Sequence, residues 1–83
     1  MKKVLNYQVV SVTNYLDKRP VSVTTIFYNR RDALKQYGYG VKYCSSRKPM
    51  PSDFGVVTSV HLYVCKCYNE DECELIMEQE FVF

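Results

Sequence analysis

A basic segment between positions 28 and 48 has the clearest potential for chemistry in this sequence. Its cations are interleaved with tyrosines, and its members are Arg30, Arg31, Lys35, Lys42, Arg47, Lys48, Tyr28, Tyr39 and Tyr43. Lys and Arg attract phosphates and carboxylates, while tyrosine rings offer flat surfaces on which nucleic-acid bases stack. The segment therefore predicts contact with RNA, single-stranded DNA or an acidic protein. The alternative interpretation is a solvated helix face whose tyrosines complete the core.

Charge is sorted between two parts of the chain. Residues 1–50 contain ten Lys and Arg against two Asp, whereas residues 51–83 contain one Lys against seven Asp and Glu. The net charge of +2 therefore conceals a dipolar molecule. An acidic row is expected on the sheet surface away from the helix, formed by Glu74, Glu78 and Glu80 with Glu70, Asp71 and Glu72 at a hairpin tip. That row is either solvated, a mimic of a phosphate backbone, a dock for a basic protein, or a contact with the basic side of a second copy in a homodimer.

Four cysteines form the only possible metal cluster with the single histidine. Zinc ligands normally come in pairs that lie two to four residues apart on turns. Here Cys65 and Cys67 lie on one strand face, and regular strand pairing directs Cys73 to the other. We therefore predict no metal site and no cofactor, and we expect reduced thiols.

His61 is the only candidate for general-base catalysis. In the predicted pairing it faces Glu80, so a carboxylate could orient its ring. The face around it is open, with no evident oxyanion donors and no means of excluding water. We therefore expect no catalytic residues and no enzymatic activity.

Length and composition predict a single domain over residues 1–83. A chain this short buries only about 60 to 65% of its unfolded surface, which leaves little room for an internal active site. Polar residues interrupt the start before an apolar signal-peptide core develops, and no run approaches the ~18 apolar residues of a membrane span. We expect a cytoplasmic protein with no membrane contact.

The first third of the chain reads as a β-hairpin. Strands are predicted over Val4–Tyr15 and Val21–Tyr28, because both are rich in β-branched and aromatic residues, with a polar loop over Leu16–Pro20. The apolar alternation changes phase at Val9–Val10. This change indicates either a bulge or a strand that is buried on both sides.

A helix is predicted to begin after Asn29. The side chain of Asn29 can accept from the first-turn amides, and Asp32 can reach back to the cap. The apolar residues that follow keep helical spacing to about position 45. Gly38 and Gly40 oppose this, and the alternative is a helix that ends at Gly38, followed by a short strand at Val41–Cys44.

The last part of the chain predicts a loop over Ser45–Gly55 and then a second hairpin, Val56–Tyr68 with Cys73–Phe83. Closing this hairpin on Asn69–Glu72 gives one apolar face, on which Val60, Leu62 and Val64 lie opposite Phe81, Gln79 and Met77. The other face is expected to pair His61 with Glu80, Tyr63 with Glu78, Cys65 with Ile76 and Cys67 with Glu74. The predicted fold class is α+β, a four-stranded antiparallel sheet (β-β-α-β-β) with one helix packed on one face.

The segment Phe27–Leu34, Phe-Tyr-Asn-Arg-Arg-Asp-Ala-Leu, runs from a strand into this helix. In its length below 100 residues, its Tyr, Lys and Asn content and its order of elements, the chain resembles the short accessory proteins that bacteriophages encode. That resemblance implies a host-takeover or anti-defence role, and it carries over no functional residue. We therefore expect a small non-enzymatic inhibitor that occupies a site on a bacterial defence enzyme, toxin or nucleoprotein complex through its basic, tyrosine-rich helix. A module that binds RNA or single-stranded nucleic acid with the same surface is the alternative.

Overall fold

One antiparallel sheet with a helix on one face makes up the fold. The computed structural model describes residues 3–46, 51–52 and 55–83. Its elements in chain order are β1 (Asn6–Tyr15), β2 (Val21–Phe27), α1 (Arg30–Ser46), β3 (Pro51–Ser52), β4 (Gly55–Cys67) and β5 (Cys73–Val82). The four long strands lie in the order β2-β1-β4-β5, all antiparallel, and β3 pairs with the start of β4. The predicted α+β fold, β-β-α-β-β with one helix, is confirmed.

The phase change at Val9–Val10 reflects a strand that is buried on both sides. β1 pairs with β2 on one edge and with β4 on the other, without interruption between Asn6 and Asn14. Val9 packs beneath the helix, and Val10 is buried on the opposite face of the sheet. The pairing of β1 with β4 becomes irregular only at the end of β1, between Asn14 and Tyr15, where the extra residue belongs to β4. Of the two predicted explanations, burial on both faces is therefore correct and a bulge at Val9–Val10 is wrong.

The predicted cap starts the helix. The Asn29 Oδ1 accepts a hydrogen bond from the Asp32 backbone N–H at 2.8 Å, which satisfies one of the exposed first-turn donors. The Asn29 side-chain amide in turn donates to the Asp32 carboxylate at 2.9 Å. The two side chains therefore brace each other across the first turn.

Both glycines lie inside one continuous helix, so the predicted helix over residues 30–45 is confirmed and the strand at Val41–Cys44 is wrong. Gly38 lies on the solvent side, where an added Cβ would meet nothing within 4 Å. Gly40 faces the sheet, and a Cβ there would lie 3.1 Å from the Leu62 Cδ1. The helix therefore tolerates one glycine on its outer surface and uses the other to approach the sheet closely.

The core lies between α1 and the faces of β1 and β4. Its buried members are Val9, Ala33, Tyr37, Cys44, Leu62 and Val64. Partly buried apolar side chains surround it, namely Tyr7, Phe27, Val41, Val60, Ile76 and Phe81. Burial of apolar area at roughly 25 cal/mol per Å² makes this single layer the main stabilising contact of the helix.

The second hairpin keeps its predicted register only as far as Val64. Pairing runs as expected from Val60 with Phe81 to Val64 with Met77. One extra residue in β5 then shifts the pairing, so that Cys65 lies opposite Leu75. Because a bulge reverses the alternation beyond it, Leu75 turns to the outer face and Ile76 packs against the core. The predicted pairs of Cys65 with Ile76 and of Cys67 with Glu74 are therefore wrong.

The same bulge brings two cysteines together. Cys67 lies opposite Cys73, and the two form a disulfide. The prediction of reduced thiols is wrong for this pair and holds for Cys44 and Cys65. Glu74 is also displaced, since it lies opposite Lys66 on the helix side of the sheet instead of on the outer face.

The segment after the helix is shorter than predicted. α1 continues to Ser46, and the backbone of Pro51–Ser52 pairs with Gly55–Val56 in a narrow hairpin. Gly55 has a φ of 151°, a conformation that a residue with a Cβ rarely adopts. The prediction of one loop over Ser45–Gly55 is therefore wrong at both ends, and residues 47–50 and 53–54 lie outside the described residues.

Candidate binding surface

The basic residues of α1 line its solvent side. Arg31, Lys35 and Lys42 recur at helical spacing on one stripe, opposite the buried stripe that packs on the sheet. All three side chains are exposed, as is Arg30 at the first helical position. The helix therefore carries four cations on its accessible surface. Arg47 and Lys48 lie outside the described residues.

Among the residues that the structure describes, these cations have no acidic counterpart. Within the described part of the chain, no carboxylate forms an ion pair with Arg30, Arg31, Lys35 or Lys42. Asp32 is the acid of the first turn, and its carboxylate is occupied by the Asn29 amide. The positive potential of the stripe is therefore open to solvent and to a partner.

The three predicted tyrosines occupy different positions. Tyr28 immediately precedes the helix cap and is 82% exposed. Tyr39 and Tyr43 lie on one flank of α1, 59% and 56% exposed, beside the basic stripe. They form one wall of an open groove of about 390 Å³ between the helix and the strands β1 and β2. The tyrosines are therefore neighbours of the cations on two sides, but they do not form a single stacking platform.

The floor of this groove comes from three strands. It is lined by small and β-branched side chains, including Ser11 and Thr13 of β1, Val23 and Thr25 of β2, and Val60 of β4. Gln36 of α1 completes the wall beside the two tyrosines. No lining residue carries a formal charge, so the groove fits an uncharged or weakly polar group.

Sequence reasoning missed this groove. Val23 and Thr25 were expected only as members of a hairpin strand, and nothing in their pattern indicates which strand lies at a sheet edge. Gln36 gave no signal either. The spacing of Gln36, Tyr39 and Tyr43 at three and four residues does mark one helix flank, and this is the signal that could have found the wall.

Tyr37 is a core residue. Burial, and to a smaller extent the negative charge of Glu78, raises the pKa of its phenol above the ordinary value. It therefore stays neutral and packs beneath the helix. Its place in the buried stripe agrees with the apolar spacing that predicts the helix.

The outer face of the sheet carries the other sign of charge. Glu78 lies opposite Tyr63 and Glu80 opposite His61, so both glutamates are on the face away from the helix. The His61 side chain reaches diagonally, and its Nε2 lies 3.2 Å from the Glu78 Oε2. Its ring is tilted against Tyr63 with centroids 5.3 Å apart. The pair is a partly exposed polar contact across two strands.

The free thiols are shielded. Burial raises the pKa of both the Cys44 and the Cys65 thiol, which keeps them protonated at neutral pH. A protonated thiol is a poor nucleophile and a poor metal ligand. Among the described residues, no group of three or more His, Cys, Asp or Glu side chains is arranged to hold a metal ion.

Comparison with protein-family models, with curated proteins and with solved structures gave no match. No helix in the described part of the chain is long and apolar enough to cross a membrane.

Proposed function

We propose that this chain is a small binding protein of the inhibitor type, which acts by occupying an acidic site on a bacterial protein. The observation that carries the proposal is the exposed stripe of Arg31, Lys35 and Lys42 without an acidic counterpart among the described residues. The resemblance to phage accessory proteins supports a partner in the host, and the proposed place of action is the host cytoplasm.

The position of two arginines supports a role outside the fold. Arg30 and Arg31 stand in the first turn of α1, where a cation opposes the helix dipole at a cost of a few tenths of a kcal/mol each. They form no ion pair among the described residues that would offset this cost. Residues that disfavour their own helix are expected where a partner uses them.

The sheet supports one-sided binding. Glu78 and Glu80 lie on the outer face, away from the helix, so that an approaching acidic surface is attracted to one side and repelled from the other. Such an arrangement orients the encounter and raises the association rate at low salt. It contributes to specificity more than to affinity, because exposed ion pairs contribute only about 0.2 to 1 kcal/mol each.

A nucleic-acid partner is the second candidate, and the exposure of Tyr28 favours it. This ring is 82% exposed and follows β2 directly, two residues before Arg30. A base that stacks on such a ring contributes about 1 to 3 kcal/mol, and the neighbouring arginines would hold its phosphates. Binding of this kind falls steeply with added salt, because every neutralised phosphate releases counterions.

The experiment is a quantitative pull-down from bacterial lysate, with and without nuclease treatment. The test variant is Arg31→Glu/Lys35→Glu. The matched control is Lys3→Glu/Arg19→Glu, which changes the net charge equally at exposed positions outside the helix. Reversing the charge of Arg31 favours the helix dipole, so loss of capture in the test variant cannot be assigned to a weakened helix start.

The proposal predicts that a protein is captured by wild type and by the control, is lost from the test variant and survives nuclease. Capture that disappears after nuclease treatment would show instead that the same surface binds nucleic acid. Capture that is equal in the test variant and in wild type would exclude the helix stripe as the binding surface.

A further inference from the structure

The strand β2 ends the sheet with an open edge. It pairs with β1 through all seven residues, and among residues 3–46, 51–52 and 55–83 nothing pairs with its other side. Alternate backbone N–H and C=O groups along such an edge therefore point away from the sheet. Every side chain from Val21 to Ile26 is exposed.

The usual protection of an edge strand is missing from β2. Its sequence, Val-Ser-Val-Thr-Thr-Ile-Phe, contains no charge and no proline, and its pairing with β1 has no bulge. The opposite edge, β5, has a bulge near Ile76 and carries Glu74, Glu78 and Glu80. Charges and bulges are the devices that keep strand edges from pairing, so one edge of this sheet is blocked and the other is open.

We infer that β2 is the surface through which two copies of this chain pair, antiparallel and across a two-fold axis at Thr24, to form one continuous eight-stranded sheet. In this register Thr24 faces its own copy, Val23 faces Thr25, Ser22 faces Ile26 and Val21 faces Phe27. Each position meets an uncharged, mostly β-branched partner, which is the combination that pairs well across strands. The interface is isologous and closed, because the same strand serves both copies.

The groove explains why the partner is a second copy. Two-fold pairing keeps both helices on the same face, and four strand spacings of about 4.8 Å separate them by roughly 19 Å. A helix with its side chains is about 10 to 12 Å wide, so a channel of roughly 8 Å remains between them. Tyr39 and Tyr43 line this channel from both sides, above Val23 and Thr25 of the paired strands. The two open grooves thus become one channel with a tyrosine-lined wall from each copy.

Charge and area agree with this pairing. The flanks that face each other carry Gln36, Tyr39 and Tyr43, while the basic stripes lie on the solvent side of each helix, away from the sheet. At about 150 to 250 Å² for a buried aromatic side chain, the exposed parts of these rings supply about 350 to 570 Å² in the two copies. Strand pairing adds to this area the flanks of the exposed β2 side chains in both copies.

The first test places charge on the axis. Thr24→Glu and Thr24→Lys each put two like charges directly opposite one another, about 5 Å apart, and are expected to raise the dissociation constant of the dimer about tenfold or more. An equimolar mixture of the two variants is expected to restore the dimer. Gln79→Glu, an equal change of charge to that of Thr24→Glu on the exposed β5 edge, is the matched control and leaves the dissociation constant unchanged. Analytical ultracentrifugation over a concentration series measures the dissociation constants of the three variants and of the mixture, each against wild type.

The second test reads the register. In a Cys65→Ser background, Thr24→Cys is expected to form an intermolecular disulfide, because its two copies lie opposite one another. Ser22→Cys is the control, since in this register its copies are about 13 Å apart along the strands, too far to bridge.

Three results together support the inference. Wild type is a dimer, Thr24→Glu and Thr24→Lys each weaken it and their mixture restores it, and an intermolecular disulfide forms at position 24 but not at position 22. A wild-type chain that stays monomeric into the millimolar range overturns it and leaves the edge for a strand of another protein. A dimer that is unaffected by Thr24→Glu, or that cross-links at position 22, also overturns it.

Discussion

Replacing Gly38 with alanine is expected to stabilise this protein. A glycine inside a helix costs about 0.8 to 1 kcal/mol relative to alanine, because the unfolded chain has more freedom to lose. An added Cβ at this position meets nothing within 4 Å, so no steric cost opposes the gain. The free energy of unfolding should therefore rise by about 0.8 to 1 kcal/mol. For a domain of this size that corresponds to a melting temperature about 3 to 8 °C higher.

The matched control is Gly40→Ala, which changes the same residue type two positions along. The backbone gain is equal, but the new Cβ would lie 3.1 Å from the Leu62 Cδ1. Leu62 is only 5% exposed, and overpacking of a buried side chain costs about 1 to 3 kcal/mol. Gly40→Ala should therefore be less stable than Gly38→Ala by at least about 1 kcal/mol.

Urea unfolding followed by far-ultraviolet circular dichroism measures both variants. The midpoint should move while the slope stays that of wild type, which identifies a change in stability alone. Protein concentration is held constant, because any self-association makes apparent stability depend on it. A neutral or destabilising Gly38→Ala, or equal effects at the two glycines, would refute the placement of the outer and inner faces of α1.

Two further changes test other parts of the structure. Cys73→Ser opens the disulfide with Cys67 and should lower the free energy of unfolding by about 2 kcal/mol, the chain-entropy value for a loop this short, in oxidising urea titrations. The difference from wild type should vanish in reductant, and equal midpoints without reductant would show that the bond is absent. Because burial raises the pKa of the Tyr37 phenol, the unfolded chain releases this proton at a lower pH than the folded one. The stabilisation of the folded state that comes from this raised pKa is complete below the unfolded pKa of about 10, and it is lost as the pH rises through the pKa of the folded protein. The free energy of unfolding of Tyr37→Phe should therefore fall less than that of wild type between about pH 9 and 11. Identical pH dependence in the two proteins would argue against a buried phenol.

The fold was predictable because the spacing of apolar residues changes between the strand and helix patterns at recognisable cap and turn residues. The Asn29–Asp32 cap marked the switch from strand to helix, and the alternation of Val60, Leu62 and Val64 fixed most of the second hairpin. The continuity of α1 past two glycines depended on where each one faces. Helical spacing places Gly38 outward, but the space beside Gly40 is visible only in three dimensions.

The bulge in β5 could not be located from alternation alone. Leu75, Ile76 and Met77 are consecutive apolar residues, so either Leu75 or Ile76 can face the core without a visible change in pattern. The regular register is the simpler interpretation of this sequence, and it separates Cys67 from Cys73. In the structure Ile76 packs against the core instead, and the disulfide and the position of Glu74 follow from that one extra residue.

The candidate surface was predictable in its charge but not in its shape. Helical spacing was sufficient to gather Arg31, Lys35 and Lys42 on one stripe. The order of strands determines that Tyr39 and Tyr43 overhang an open edge, and local sequence does not encode that order. For the same reason, the lack of charged residues in β2 indicates an unprotected strand edge only once the position of β2 in the sheet is known.

The decisive measurement is the amount of partner that Arg31→Glu/Lys35→Glu captures from lysate. This variant is expected to fold and to be as stable as wild type but to retain no partner, while Lys3→Glu/Arg19→Glu retains as much as wild type. Equal retention by all three proteins would show that the basic stripe of α1 is not the binding surface.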